Sequence, residues 1–224
     1  MSKRLGIVAS AALFLCVFAG GVGHAQNKDD GREVCLGGIH GFMEPNVLIS
    51  ACTRFIESGA AEPEERAMAL ANRGEMYISI GRNDDAMQDC QSALRVAPRQ
   101  VMTGKVCGDA YLAKGDADTA ISHYTNAIRN TSVFLRGLWL GRIQADLAAK
   151  RYDDALSDAS YFIARDKSNS DAYVLRGKAH FALGEYGEAK GDFELALRLD
   201  PASFEAEEGL GQVKVALTKR PAQN

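Results

Sequence analysis

An all-α fold is written in this sequence: a solenoid of about four stacked helix pairs, opened by a leading helix and closed by a C-terminal capping helix. Three features point to it. Gly74, Gly108 and Gly177 recur at one or two multiples of a common period, roughly 34 residues long. Apolar and small residues around each recur at helical rather than strand spacing. A second set of glycines, Gly81, Gly115 and Gly184, cuts the periods into two helices joined by a turn. One such pair cannot bury its own apolar face, so it stacks on the next.

The period is written most fully from Ser170 to Pro201. Gly177, Ala189 and Ala196 are small where two helix backbones must approach. Tyr173, Phe193 and Leu199 fill the space beside them, and Pro201 stops the second helix. This stretch resembles one tetratricopeptide repeat (TPR), whose pattern sets aromatic, small, aromatic, Ala, aromatic, Ala and Pro at fixed offsets within the period. The resemblance implies a right-handed superhelix with a concave inner surface, and a scaffold that binds proteins rather than an enzyme.

The 224 residues are 46% hydrophobic and 25% charged, a globular balance, and a formal charge of −3 gives no general attraction to nucleic acid or anionic membrane. Residues 1–25 read as a secretory signal peptide. Lys3 and Arg4 give a basic start, Leu5 to Val22 is apolar, and Gly23-His24-Ala25 sets small residues for cleavage between Ala25 and Gln26. An uncleaved anchor is the rival, because the apolar run is nearly long enough to span a bilayer. Leu15 before Cys16 argues against a lipoprotein box. Cleavage removes Lys3 and Arg4 and takes the charge to −5. The expectation is a periplasmic or secreted chain with no stable membrane insertion after cleavage.

Residues 26–66 form the N-terminal arm and leading helix. Gln26 to Gly41 is polar and glycine-rich and reads as a mobile start and irregular arm. Pro45 to Ser58 reads as a helix with an apolar stripe at Val47, Leu48, Ala51, Cys52, Phe55 and Ile56. Its Ser-Ala-Cys-Thr-Arg-Phe-Ile-Glu-Ser-Gly run resembles the opening of a group of exported bacterial TPR proteins. Ala61 to Glu65 reads as an acidic connector.

Residues 67–219 form the solenoid, and 220–224 a tail. The first repeat, from about Ala67 to Arg99, carries Leu70, Gly74, Tyr77, Gly81, Ala86, Ala93 and Pro98, with Cys90 in an aromatic slot. The second, from about Val101 to Phe134, carries Gly108, Tyr111, Gly115, Ala120, Tyr124 and Ala127. The third is weaker. Trp139 and Tyr152-Asp-Asp-Ala155 start it near Arg136, which puts Ile143 in the small-residue slot and would push the helices apart. Sliding Gly141 into the slot repairs this but lengthens the turn by two residues; both registers stand. Phe204 to Thr218 reads as a cap with its apolar stripe at Phe204, Leu210, Val213 and Leu217 and its other face polar.

Four cysteines remain after cleavage, in an exported context that favours disulfides. They allow three pairings. Cys35 with Cys52 and Cys90 with Cys107, two pairs of equal spacing along the chain, is the local one. Two buried free thiols are the alternative for Cys90 and Cys107. No CxxC or paired histidines suggest zinc or redox chemistry, and no cofactor is implied. Ser-His-Asp, HExxH, GxGxxG and phosphate-loop patterns are absent. His180 reads as a packed helix residue and His123 as exposed. Asp84-Asp85 and Asp153-Asp154 open helices, where they favour the helix dipole.

In proteins of this resemblance the first helix of each pair lines the groove, and residues just after the small Gly and one turn on point inward. The resemblance thus nominates Glu75 and Ile78, Asp109 and Leu112, then Lys178 and Phe181, with Lys105 and Val174 a turn earlier. This mixed lining suits an extended or helical peptide. Each residue also reads as a plain solvated helix face. Ala71 and Glu75 stand where chaperone-binding members carry a carboxylate clamp, so that clamp is not carried over. The functional expectation is a periplasmic scaffold binding another protein through its concave face. The alternative is a structural envelope protein that self-associates.

Overall fold

The structure, a computed structural model, describes residues 30–37 and 43–219. The signal segment with its Ala25–Gln26 cut, His40 and the tail 220–224 lie outside the described residues.

Among the described residues all regular structure is helical. A short helix α1 (Arg32–Leu36) precedes the leading helix α2 (Pro45–Glu57). Four hairpins follow: α3 (Pro63–Ser79) with α4 (Asn83–Val96), α5 (Val101–Ala113) with α6 (Ala117–Arg129), α7 (Arg136–Ala148) with α8 (Tyr152–Arg165), and α9 (Ser170–Ala182) with α10 (Tyr186–Leu199). The cap is α11 (Phe204–Lys219). The second part of the acidic connector, Pro63 to Glu65, is in fact the first turn of α3. Pro63 sits at its N-terminus, and Glu64 and Glu65 stand where the unbonded N–H groups of the helix favour negative charge.

Each first helix touches the next first helix, α3 to α5, α5 to α7, α7 to α9 and α9 to α11. The second helices have no comparable mutual contact. The first helices therefore form the tighter, inner layer, and the array curves around them.

The arm is less irregular than its composition suggests. Gly31 has φ 80°, and a Cβ there would stand 2.2 Å from the Ala51 carbonyl oxygen, so only glycine lets the chain cross α2 so closely. Cys35 is fully buried and paired with Cys52, their Cα atoms 4.8 Å apart. Asn72 Nδ2 donates to the Cys35 carbonyl at 2.8 Å, and Arg32 pairs with Glu65.

The third repeat keeps the register that starts at Arg136. Both its helices lie one full period before α9 and α10, and Ile143 occupies the slot of Gly177. The fit is rescued by a reversal of sizes. Where repeats two and four set Tyr124 and Phe193 against a glycine, repeat three sets Ala159 opposite Ile143, and both are fully buried. The aromatic moves to Phe162, at the place of Ala127 and Ala196. Gly141 serves the interface with the preceding repeat instead: a Cβ there would meet the Tyr124 ring at 2.6 Å. The turn also departs from its neighbours. Gly81, Gly115 and Gly184 have φ between 76° and 84°, and the equivalent residue of repeat three is Lys150 at φ 60°.

The cap differs from its expected stripe. Ala206, Gly209 and Val213 are its buried residues and Leu210 packs beside them, whereas Phe204 is 72% exposed and Leu217 46%. α11 is a first-type helix with no second helix behind it among the described residues, so its far face stays uncovered.

Candidate functional site

The nominated groove residues fall into three groups. The first is a polar latch. Lys105 Nζ on α5 donates to Asp109 Oδ2 at 2.8 Å and to Glu75 Oε1 on α3 at 3.1 Å. Tyr124 donates its hydroxyl to the other Asp109 oxygen at 2.5 Å. Burial opposes the charge of Lys105, but the Asp109 and Glu75 carboxylates outweigh it and raise its pKa above the ordinary value. Burial, and then Asp109, push the Tyr124 hydroxyl far up, which keeps it a donor. Three candidates, Glu75, Lys105 and Asp109, thus tie repeat one to repeat two.

The second group packs. Val174 is only 5% exposed and belongs to the core, a correction to its reading as a lining residue. Ile78 and Leu112 are half-buried against the clusters around Tyr77 and Tyr124.

The third group stays available. Lys178 is exposed, and Phe181 is half-buried with its ring 5.4 Å from that of Tyr186. Phe181 and Tyr186 help wall a hollow of about 810 Å³ against α11, where Glu208, Gly211, Gln212, Val215, Ala216 and Lys219 complete the lining. Val215 lies at the place in the period held by Ile78, Leu112 and Phe181. The reading of the cap as a closing lid hid it. Among the described residues no three His, Cys, Asp or Glu side chains gather to hold a metal ion, and no helix is long and apolar enough to cross a membrane.

The aromatics read as core divide in the same way. Tyr77, Tyr173 and Phe193 are buried, while Tyr111 and Trp139 are half-buried. His123, expected to be exposed, is half-buried and stacks on Tyr111 with centroids 5.2 Å apart. His180 contacts Glu185, Nδ1 to Oε2 at 2.6 Å.

One repeating feature escaped the sequence reading. Arg73, Arg142 and Arg176 make bidentate pairs with Asp89, Asp158 and Asp192, at 2.6 to 2.9 Å. Each clamps a first helix to its own second helix. The signal was legible as Arg and Asp recurring at fixed places in the period. Repeat two has Cys107 and His123 in those places. There Cys107 reaches backward instead and pairs with Cys90 on α4, the Cα atoms 5.1 Å apart. The forward-facing slot that holds Tyr124 and Phe193 elsewhere thus carries a covalent link between repeats one and two.

Two family models described as tetratricopeptide repeat match residues 67–100 and 170–203. RNA polymerase II-associated protein 3 of Mus musculus is 31% identical over 151 residues, 67% of this chain and 22% of that protein. The first TPR domain of human RPAP3, solved by NMR, is 34% identical with a TM-score of 0.51 over 55% of this chain and 95% of that domain. A tetratricopeptide repeat protein from Parabacteroides merdae ATCC 43184 shares the fold at a TM-score of 0.67 and 15% identity, over 84% of this chain and 74% of that one. This chain spans about a fifth of the length of the mouse and human curated relatives it matches. The matched repeats are the first and the fourth of the array, and the human domain is matched across nearly its whole length: the chain is a tetratricopeptide repeat protein.

Proposed function

We propose that this chain is an exported scaffold that holds a segment of a partner protein along its inner face, anchored at the C-terminal end. The hollow between α9, α10 and α11 carries this reading. Phe181, Tyr186 and Val215 offer apolar surface in a concavity large enough for bulky side chains, Glu208 and Lys219 supply charge in its lining, and Lys178 is exposed on α9 three residues before Phe181. Apolar anchors with a charged rim are how a groove takes an amphipathic or extended segment. Export is supported by the basic start, the apolar run and the small residues before Gln26, and by two cysteine pairs at bonding distance. The test is a pull-down from cell-envelope extract with the chain from Gln26 onward, beside a Lys178→Glu, Val215→Glu variant. Both residues are exposed, so the variant keeps its helical circular dichroism. A partner held by the native chain and lost by the variant supports the groove; a partner held equally by both removes it.

A second reading rests on the uncovered face of α11. Phe204 and Leu217 are exposed there, a surface on which another copy could stack. Light scattering after size exclusion separates the two: a dimer that Phe204→Glu dissociates favours self-association, and a monomer excludes it.

A further inference from the structure

We propose that the hollow walled by α6, α7 and α8 binds an organic cation of side-chain size, an ammonium or guanidinium head group that pairs with Asp146. The hollow has a volume of about 250 Å³ and is lined by Ile121, Thr125, Arg142, Asp146, Arg151, Asp154, Ser157 and Asp158. Its origin lies in the period. Tyr77 and Tyr111 fill the equivalent place in repeats one and two, His180 in repeat four, and Asp146 in repeat three. The missing ring leaves space, and a carboxylate takes its place.

Asp146 is 3% exposed, and its carboxylate has no hydrogen-bond partner among the described residues. A buried carboxylate without a partner is costly, and proteins keep such groups where a ligand satisfies them. Both cations that face it are taken. On α7, Arg142 is held by both oxygens of Asp158 on α8, at 2.6 and 2.9 Å, and reaches Thr125 of α6 at 3.3 Å. Arg151, in the turn, donates to Asp118 of α6 at 2.6 Å. Two cations are thus matched by two carboxylates, which leaves Asp146 inside and the exposed Asp154 on the first turn of α8 uncompensated. The site calls for positive charge. The hollow, about 250 Å³, has room for a cation carried on a short organic group, and among the described residues no three His, Cys, Asp or Glu side chains gather to hold a metal ion. Burial first, then the charges of Asp158 and Asp154, raise the Asp146 pKa to about 6, so the carboxylate is ionised and competent at neutral pH.

The cation has two sources, a free small amine or a lysine or arginine side chain presented by a partner. The experiment titrates the folded chain at pH 7.5 with n-butylammonium, methylguanidinium, and the blocked tripeptides Gly-Lys-Gly and Gly-Arg-Gly, following amide and carboxyl NMR shifts. The expected result is a saturable shift at Asp146, Thr125 and Ser157, lost below about pH 5 and abolished in Asp146→Asn. Binding by the tripeptides points to a partner side chain, and binding by the free cations alone to a small amine; either supports the site. Asp146→Tyr, which restores the ring of repeats one and two, should also abolish binding. No saturable shift with any probe, or equal shifts in Asp146→Asn, overturns the proposal.

Discussion

The tip of the Phe193 ring sits against the backbone of Gly209, so close that a Cβ built on Gly209 would stand 2.4 Å from ring Cζ. A Cβ on Gly177 would likewise come within 2.9 Å of ring Cε1. One ring therefore joins α9, α10 and α11. Gly209→Ala must displace the ring or the cap, and a loss of about 1–3 kcal/mol is expected from overpacking. Gly191 on α10 faces open space, and Gly191→Ala should stabilise by about 0.5–1 kcal/mol. Urea midpoints of the two variants should move in opposite directions.

Ile143 and Ala159 should behave as a pair. Ile143→Ala alone leaves a cavity worth about 2–5 kcal/mol. Ala159→Phe alone overpacks the same space at about 1–3 kcal/mol. Ile143→Gly with Ala159→Phe restores the arrangement of Gly177 and Phe193 and should recover much of the loss. A double-mutant cycle measures this coupling, and additive losses would refute the reversal of sizes.

Removing the link between repeats one and two tests the cysteines. Peptide mapping without reductant should find Cys35 joined to Cys52 and Cys90 joined to Cys107 in the purified chain. Cys90→Ala with Cys107→Ala should cost about 2–4 kcal/mol. Free thiols would mean that the sulfurs serve only as small buried hydrophobes.

Lys105 is a stability residue. Lys105→Met removes two charge-assisted hydrogen bonds and should lower stability by about 1–3 kcal/mol. Partner binding through the α9–α11 hollow should be untouched once the protein is folded. Lys178→Glu should do the reverse, with stability kept and binding weakened.

The Asp146 carboxyl gives a signed pH dependence. Its folded pKa, near 6, lies above the ordinary 3.8, so between those values the folded state binds more protons than the unfolded state. The contribution of Asp146 to stability therefore falls as pH rises from about 4 to 6, by up to about 3 kcal/mol. Asp146→Asn should flatten that part of the curve and raise stability at pH 7. Melting temperatures across pH 4 to 7 for the two proteins check the sign.

Most of the helix boundaries were legible because the period repeats its glycines and its apolar spacing. The groove was less so. Lys105 reads as a lining cation until Glu75 and Asp109 are seen to converge on it from two helices. Val174 reads as a turn-earlier neighbour of Lys178 but faces inward. Val215 was hidden by the expectation that a cap turns all its apolar residues inward. Asp146 was invisible, because a single acid on a helix means nothing until the residues around it are known to be already paired.

Residue type at fixed spacing along one chain was enough to set the repeat family and the number of hairpins, and it left a Cys90–Cys107 link open beside two free thiols. The register of repeat three, the Arg–Asp clamps and the residues that remain free to bind emerged only when the helices were packed together. Those outcomes depend on which side chains from different helices meet, where size and charge balance only across the interface: Ile143 fits because Ala159 is small, and Asp146 is unpaired because Arg142 and Arg151 are taken.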